Sequence, residues 1–449
     1  MGKLIKLRKG KDILLVGEPV TEMASSVSVR SYAIKPSDFK GIVPKMLVKV
    51  GDEVKAGSPL FHSKTNEHLV FSSPVSGEIA EIVRGDRRLI QEIRILADAE
   101  NKYVDFPVQD PKSLSKEQVA ERIKSSGAWP LIRQRPFNII ADIQDTPKSI
   151  FISTFDSAPL APDYGYILKD ETSNLQAGID ALAKLTSGKV YLGLKHKGAN
   201  NATFTGLSGA EQYEVSGQHP AGNVGVQIHH IDPVNKGDVV WVVNPQDLAI
   251  IGRLFTEGKF RNEKTIAITG SQVKSPNYIR VFSGANMATV LTDRIEGDNN
   301  RVISGNVLTG SSIGVDGFLG YYDNQITVIP EGNEYEFMGW LIPSYPRPSI
   351  SKSFLYYLNP KKKFVVNTNN HGEERAFVVS GEYEKVLPMD ILPVQLLKAI
   401  LAKDFEAMEN LGIYEVVEED MALCEFVCTS KIDVQEILKE GLELVEREG

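Results

Sequence analysis

Two cysteines are the side chains with the clearest capacity for redox or metal chemistry. Cys424 and Cys428 are spaced i, i+4 in a predicted helix, so one helical face presents both thiols. A [4Fe–4S] cluster requires four thiolates, and the chain has two cysteines in all. An intramolecular cluster is therefore excluded. We expect both thiols to be packed in the interior, and a cluster shared with another subunit is the alternative.

Histidines are the next candidates for metal binding. His219, His229 and His230 are the nearest to one another among the seven in the chain. If residues 229 and 230 lie on a strand, their side chains point to opposite faces and cannot bind the same metal. We therefore expect surface or core histidines and predict no metal site.

Glycine-rich segments resemble nucleotide-binding or nucleophile motifs but lack essential residues. Residues 305–312 have the glycine spacing of a P-loop without its lysine, and residues 206–210 lack the second glycine of a nucleophile elbow. The latter segment is expected to be a turn. No G-x-G-x-x-G motif follows a predicted strand, so the chain lacks the usual dinucleotide loop. We predict no catalytic residue in this chain.

Composition restricts the protein class further. A chain of 449 residues with 42% apolar and 24% charged residues is expected to fold into roughly three domains. Fifty Lys and Arg against fifty-eight Asp and Glu give a net charge of -8, which argues against a nucleic-acid partner. Lys361, Lys362 and Lys363 are expected in a solvated loop, with contact to an anionic lipid or a partner as the alternative.

Neither a membrane span nor an export signal is expected. The longest apolar runs, such as residues 239–243, are far shorter than the ~20 residues that cross a bilayer, and residues 1–8 lack the apolar core of a signal peptide. The low cysteine content fits a reducing cytoplasm.

The elements that must position these residues fall into four regions. Short apolar segments separated by Gly and Pro predict an all-β unit over 29–98. A capping box at Ser115 and Gln118 predicts a helix that stops at Gly127. Alternating strands and helices over 148–269, with strands at 150–152 and 239–243 and a last strand at 265–268, predict an open α/β sheet.

The remaining chain is expected to be β-rich and then helical. Short strands and glycine turns predict a small β-rich domain over about 271–330. A proline-rich passage follows at 343–348, and helical periodicity begins at Met389 and continues to the end.

Residues 42–82 resemble a biotinyl/lipoyl-type barrel-sandwich domain. The similarity lies in Val-Lys-Val-Gly-Asp-Glu-Val-Lys-Ala-Gly at 48–57 and Pro-Val-Ser-Gly-Glu-Ile at 74–79. Asn66 occupies the position of the cofactor-bearing lysine in that family, and Lys64 lies two residues away. The resemblance therefore implies a docking or structural unit without covalently bound lipoate or biotin.

Over its whole length the chain resembles the NqrA family, the A subunits of Na+-translocating NADH:quinone reductases. It is more remotely similar to the C subunit of Rnf complexes and to the flavin-bearing subunit of respiratory complex I. The shared segments, in family order, are 41–46 (Gly-Ile-Val-Pro-Lys-Met) with 50–52 (Val-Gly-Asp), 133–137 (Arg-Gln-Arg-Pro-Phe), 188–191 (Gly-Lys-Val-Tyr), 219–222 (His-Pro-Ala-Gly), 301–305 (Arg-Val-Ile-Ser-Gly) with 308–310 (Leu-Thr-Gly), and 419–424 (Glu-Asp-Met-Ala-Leu-Cys) with 427–428 (Val-Cys).

This resemblance implies a multi-domain α+β and α/β fold. The implied units are an N-terminal segment with the barrel-sandwich domain at 1–100, a Rossmann-like α/β domain at 101–269, a small β-grasp-like (SLBB-type) domain at 270–335, and a linker with a helical C-terminal domain at 336–449.

The resemblance also implies a function. The chain is expected to be a peripheral subunit on the cytoplasmic face of the inner membrane, in a complex that couples electron transfer from NADH to ubiquinone with Na+ export. It would dock on the membrane subunit with the quinone site, and flavins and the Fe–S centre would lie on partner subunits. The flavin-binding relatives hold FMN phosphate with a G-x-G-G-A-G-F-P loop, whereas residues 125–130 read Ser-Ser-Gly-Ala-Trp-Pro, which implies that flavin binding is lost.

A quinone headgroup needs hydrogen-bond donors within an apolar or aromatic wall. Arg133 and Arg135 are the expected donors, and the alternative is that they form ion pairs while the aromatic residues belong to the core. Two further functions stay open: a soluble flavin-binding NADH dehydrogenase-like enzyme, and a purely structural adaptor. The quinone-proximal candidates are Tyr32, Phe39, Met46, Trp129, Arg133, Arg135 and Phe137.

Overall fold

The structure is a computed structural model that describes residues 2–333, 338, 347–350 and 354–448. Of the proline-rich passage predicted at 343–348, residues 343–346 lie outside the described residues. Within the described ranges, no helix has the length and apolar content needed to cross a lipid bilayer.

A seven-stranded mixed sheet lies between two hydrophobic clusters. Its first five strands in spatial order are parallel, and the last two add an antiparallel edge. In that order, and numbered along the chain, the strands are β1 (Leu4–Lys6), β13 (Glu211–Ser216), β12 (Lys189–Lys195), β11 (Ser149–Ser153), β14 (Val240–Val242), β9 (Arg133–Arg135) and β10 (Ile139–Ile140).

Strand β11 shows why this sheet is buried on both faces. Ile150 and Ile152 point into one hydrophobic cluster, whereas Phe151 points into the other, because side chains alternate along a strand. The helices that accompany the sheet are α1 (Lys116–Ser125), α2 (Tyr164–Ile167), α3 (Thr172–Leu185), α4 (Ala202–Thr205), α5 (Val224–Ile231) and α6 (Pro245–Thr256). The predicted capping box at Ser115 and Gln118 is confirmed at the start of α1.

The order of the strands reverses at β11. From β11 the chain proceeds through β12 to β13 on one side, and β14 then lies on the other side of β11. In open α/β sheets such a reversal opens a crevice at the carboxyl ends of the two central strands, and ligands bind there. The carboxyl ends of β11 and β14 are therefore the place where this fold forms a cleft.

Two strands pair outside the units in which the sequence analysis places them. The predicted unit at 1–100 joins the N-terminal segment to the barrel-sandwich domain, but strand β1 pairs with β13 at the edge of the α/β sheet. The strand predicted at 265–268 exists, as part of β15 (Glu263–Thr269), but it pairs with β16 (Asn277–Phe282) and β19 (Gln325–Pro330) in a separate sheet. Strand–helix alternation identifies a strand without identifying its partners.

The first β unit consists of two small sheets. They share an aromatic core in which Phe61 stacks on Phe71, with ring centroids 4.5 Å apart, and Phe39 packs 4.4 Å from Phe71. One sheet has the order β2 (Ser31–Ile34), β8 (Ile90–Ala97), β7 (Gly77–Arg84), β4 (Glu53–Val54), and the other has the order β3 (Pro44–Met46), β5 (Pro59–Ser63), β6 (Val70–Ser72).

The β-rich region after the α/β sheet is a five-stranded sheet with one helix. Its order is β16, β15, β19, β17 (Asn300–Ser304), β18 (Ser311–Ser312), and the helix is α7 (Met287–Leu291). A buried ion pair joins this sheet to α6: Lys264 Nζ lies 2.9 Å from Asp247 Oδ1 and donates to the Tyr321 carbonyl at 2.9 Å.

The C-terminal region is helical, as predicted. Its helices pack on the Phe151 face of the α/β sheet and share one hydrophobic cluster with it. They are α8 (Tyr383–Val386), α9 (Pro393–Leu401), α10 (Phe405–Asn410), α11 (Glu418–Val427) and α12 (Val434–Glu448).

Candidate functional site

A cleft of about 390 Å³ opens at the carboxyl ends of β11 and β14. All four regions of the chain contribute to its walls, so the cleft exists only in the assembled fold. Among its lining residues are Asp38 and Lys40 from the first β unit; Arg133, Asn138, Asp156, Tyr164 and Asn244 from the α/β region; Asn306, Tyr322, Asp323 and Asn324 from the β-rich region; and Glu418, Glu419 and Gln435 from the C-terminal helices.

The hydroxyl group of Tyr164 lies at the centre of a hydrogen-bond network in this cleft. Its hydroxyl oxygen accepts from Asn244 Nδ2 at 3.0 Å and from Asn324 Nδ2 at 3.3 Å. Asn244 caps α6 through its own Oδ1, and Asn324 Oδ1 accepts from Gln246 Nε2, so both amides are held in place. Burial raises the pKa of Tyr164, and the phenol therefore remains protonated.

Arg133 is the one predicted quinone-proximal residue that lines the cleft directly. Its guanidinium lies 5.2 Å from the centre of the Tyr322 ring, a cation–π contact. Tyr322 is fixed in turn because its hydroxyl donates to the Pro130 carbonyl at 2.8 Å. The arginine thus presents its N–H groups beside an immobilised aromatic ring.

Arg135 lies just behind the rim of the cleft. It is 3% exposed, and its Nη2 pairs with Glu419 Oε1 at 2.6 Å. Its Nε and Nη1 find no hydrogen-bond partner among the residues that the structure describes. Phe137 follows two residues later; its ring contacts Tyr414 edge-on at 6.2 Å, and its carbonyl accepts from Lys40 Nζ at 3.1 Å.

The other four candidates lie away from the cleft lining. Tyr32 is buried against Phe282, and burial raises its pKa to about 12. Phe39 belongs to the aromatic core of the first β unit, and Met46 is half-buried on β3. Trp129 is 1% exposed and lies 5.5 Å from Trp241. The rings of Tyr32, Phe39 and Trp129 therefore belong to the hydrophobic core, which is the alternative that the sequence analysis left open for them.

The loop 125–130, which the resemblance places at the position of a flavin loop, is closed. The backbone N–H groups of Ser126, Gly127 and Ala128 donate to carbonyls of the preceding helix at 3.0–3.2 Å, so none of the three is free to bind a phosphate. Gly127 has φ +78°, and a Cβ there would collide with Ser72 Oγ. Trp129 fills the adjoining space and donates from Nε1 to the Ala141 carbonyl at 2.8 Å.

The hairpin tip of the first β unit lies between β5 and β6. Asn66 Oδ1 accepts from the His68 N–H at 3.1 Å and stabilises the turn. Lys64 is exposed, and its backbone N–H donates to the Val43 carbonyl.

Cysteine placement differs in part from the prediction. Cys424 lies in α11, but the helix ends at Val427, so Cys428 is its C-cap. Both thiols are buried, as expected, and the Tyr383 hydroxyl donates to Cys428 Sγ at 3.0 Å. Burial raises the pKa of Cys424.

His229 and His230 lie on helix α5 and not on a strand, so the condition under which they were expected to point to opposite faces is not met. They face segments between the C-terminal helices: His229 Nδ1 lies 2.6 Å from Glu415 Oε2, and His230 Nε2 lies 2.9 Å from the Pro388 carbonyl oxygen. Among the described residues, no three His, Cys, Asp or Glu side chains are placed to hold a metal ion.

Sequence reasoning missed Asp156, Tyr164, Asn244 and Asn324. Two of these positions had a usable signal: Asp156 follows the predicted strand 150–152, and Asn244-Pro245 after strand 239–243 is a helix start with Asn at the N-cap and Pro at N1. Asn324 reaches Tyr164 across 160 residues of chain, which only the tertiary structure reveals.

Three family models match this chain. They are described as "NqrA N-terminal barrel-sandwich hybrid domain" over residues 5–98, "NqrA second alpha/beta domain" over 114–260, and "NQRA C-terminal domain", of the SLBB type, over 265–314. These matches confirm the predicted barrel-sandwich, α/β and SLBB-type units.

Curated relatives that are named as the A subunit of the Na(+)-translocating NADH-quinone reductase match over the full length. Those from Hahella chejuensis, Haemophilus influenzae (strain PittGG) and Yersinia pestis bv. Antiqua are 39%, 38% and 37% identical, with 99% of this chain and 100% of each relative covered. A solved NAD+-reducing [NiFe]-hydrogenase in the air-oxidized state is 12% identical with a TM-score of 0.40, covering 75% of this chain and 62% of that one, and this likeness is too slight to support an inference.

Proposed function

Because this chain belongs to the NqrA family, the A subunits of the Na(+)-translocating NADH-quinone reductase, we propose that it acts as a peripheral subunit on the cytoplasmic face of the inner membrane. The predicted family is thereby confirmed, and the chain is a subunit of an oxidoreductase complex. In our proposal this complex transfers electrons from NADH to ubiquinone and exports Na+.

The chain supplies no redox cofactor of its own in this proposal. The observation that supports this point is the closed loop at 125–130: three consecutive N–H groups are already bonded, and Trp129 occupies the space beside them. These residues do not fit an FMN phosphate, which needs free N–H donors and close backbone approach. Flavins and the Fe–S centre are accordingly assigned to partner subunits.

Docking is the second element of the proposal. The chain would bind chiefly to the membrane subunit that contains the quinone site, and family membership supports this assignment. We also propose the division into units at 1–100, 101–269, 270–335 and 336–449, with strand β1 transferred to the second unit and strand β15 to the third because of their sheet partners.

Quinone access is the third element, and it centres on the cleft. Of the seven candidates, Arg133 lines the cleft and Arg135 lies behind its rim with two donor atoms that the described residues leave unpaired. We expect Arg135→Ala to raise the KM for quinone in the assembled complex, because Glu419 loses its partner and the rim changes shape. Unchanged quinone-reductase kinetics would remove Arg135 from this role.

A structural adaptor is the second candidate function. The Arg135–Glu419 ion pair and the burial of Tyr32, Phe39 and Trp129 favour it, because each side chain already has a structural partner. A titration with quinone separates the two: an adaptor gives no binding to the chain.

The test of the proposed function is copurification. Detergent-solubilised membranes should yield this chain together with strongly hydrophobic subunits and with sodium-stimulated NADH oxidation. If the chain is absent from that fraction, the assignment to the complex is wrong. A purified chain that is yellow from bound flavin would instead favour the flavin-binding enzyme.

A further inference from the structure

From the geometry of the cleft we infer that Tyr164 is a binding residue for the quinone headgroup, donating its hydroxyl proton to a carbonyl oxygen of the ring beside Arg133. This inference rests on the proposed function and names the site at which the chain would meet its substrate. Nothing in the sequence patterns or the family matches singles out Tyr164.

The first step concerns the free proton of Tyr164. A phenol hydroxyl has one proton to donate, and its oxygen also accepts hydrogen bonds. Asn244 and Asn324 both donate to the oxygen, and the proton has no acceptor among the residues that the structure describes. Because Tyr164 is 4% exposed and lines the cleft, this donor is preoriented and needs a ligand or water as its acceptor.

The second step is the link between the two donors. Arg133 stacks on Tyr322, and two residues further along the chain Asn324 bonds to Tyr164. Asn324 also donates to the Tyr322 carbonyl at 3.4 Å. A single segment, 322–324, thus positions both donors at one cleft, and a quinone ring has two carbonyl acceptors to satisfy them.

The third step is charge. Lys40 pairs with Glu418, Arg135 pairs with Glu419, and Lys35 lies 3.6 Å from Asp38. When these ion pairs are set aside, the charged groups that remain on the cleft walls are the guanidinium of Arg133 and the carboxyl groups of Asp156 and Asp323. The net charge left on the walls is not positive, so the cleft disfavours the phosphates of FMN or NADH and accepts a neutral ring.

The fourth step is the fold itself. The cleft lies at the carboxyl ends of β11 and β14, where the strand order reverses and where ligands bind in open α/β sheets. Its volume of about 390 Å³ is in the range of small-molecule sites. The cleft is lined mainly by polar side chains, with the Tyr322 ring as an aromatic wall beside Arg133, so we assign it the headgroup and not the isoprenoid tail.

The experiment is a calorimetric titration of the full-length chain with a water-soluble short-chain ubiquinone analogue. Tyr164→Phe removes the hydroxyl alone and should weaken binding about tenfold, the value of one buried hydrogen bond. Tyr166→Phe is the matched control, because Tyr166 packs against Tyr278 and does not line the cleft; its Kd should equal that of the wild type.

A second variant covers the possibility that Tyr164→Phe disturbs folding, since it also removes the acceptor for two amides. Arg133 is half-buried and contacts the Tyr322 ring without forming an ion pair among the described residues, so Arg133→Gln should fold normally and weaken binding by a similar factor. FMN and AMP, added in excess, should not displace the quinone. Wild-type affinity in both variants, or displacement by FMN, would overturn the inference.

The two proposals fail in distinguishable ways. If the chain copurifies with the complex but all variants bind quinone with equal affinity, the proposed function stands and the inferred quinone site at Tyr164 is wrong. If the chain binds quinone through Tyr164 but never copurifies with the hydrophobic subunits, the inferred site stands and the proposed function is wrong.

Discussion

The loop at 125–130 and the cleft at the ends of β11 and β14 are two potential ligand sites with opposite properties. In the loop every donor from Ser126 to Ala128 is bonded within the protein, and Trp129 fills the remaining space. In the cleft, Tyr164 and Arg133 keep donors for which the described residues provide no acceptor. A ligand site is therefore recognised by hydrogen-bonding groups that the protein leaves unsatisfied, and this scaffold closes one pocket while it leaves another open.

Removal of Trp129 is expected to have the largest effect on the closed loop. Trp129→Ala deletes a fully buried indole, its contact with Trp241 and its hydrogen bond to Ala141. The free energy of unfolding should fall by about 4 kcal/mol, as measured by denaturant titration. If the variant is as stable as the wild type, the loop is not closed by this side chain.

The pH dependence of the free energy of unfolding distinguishes the two regions. The loop has no ionisable side chain, whereas helix α11 beside the cleft contains Asp420. Burial raises the pKa of Asp420 to about 7, so its folded form keeps the proton that the unfolded form loses near pH 4. Its contribution to stability is full below about pH 4 and is lost as the pH rises to about 7. Relative to the wild type, Asp420→Asn should therefore gain up to about 4 kcal/mol between these pH values.

His219 provides the control of opposite sign. Burial lowers its pKa to about 4, so its contribution to stability is present above pH 6.5 and is lost as the pH falls to about 4. His219→Asn should lose stability relative to the wild type as the pH rises over this range, in the same denaturation series. Parallel pH profiles for both variants would contradict the assigned protonation states.

A smaller effect is expected from crowding Gly127. Gly127→Ala introduces a Cβ that meets Ser72 Oγ and places alanine at φ +78°, which together should cost about 2 kcal/mol of unfolding free energy. Gly51→Ala is the matched control: its φ of +90° gives a similar backbone penalty, but the space around it is open. Equal losses in the two variants would show that the loop has room after all.

The smallest effect is expected at the rim. Lys40 and Glu418 are each about one-fifth exposed and join the first β unit to α11, so Lys40→Ala should cost at most about 1 kcal/mol. Lys45→Ala, which breaks the largely exposed pair with Glu67, should leave the melting temperature unchanged. A larger loss of stability in Lys45→Ala than in Lys40→Ala would contradict this expectation, which depends on the greater burial of the Lys40–Glu418 pair.

Local patterns predict the elements well and their partners less well. The capping box at Ser115, the strands at 150–152 and 239–243 and the C-terminal helices follow from short-range periodicity. Strand β15 belongs to a different sheet from the one predicted, and His229 lies on a helix, because the apolar pattern of a short segment does not specify its neighbours.

Prediction of the site is limited for the same reason. Arg133 is identified through the family motif, whereas Tyr164 gains its role from Asn324, which belongs to the β-rich region. Trp129 and Phe39 are aromatic residues near the right segments, but burial in the core leaves them no open face. Only long-range packing decides which polar side chains are left without partners.

The most direct test is to incubate the purified full-length chain with excess FMN, remove free ligand by gel filtration and record the visible absorption spectrum. The closed loop predicts a colourless protein with no flavin band. A yellow protein that retains one FMN per chain would contradict the account.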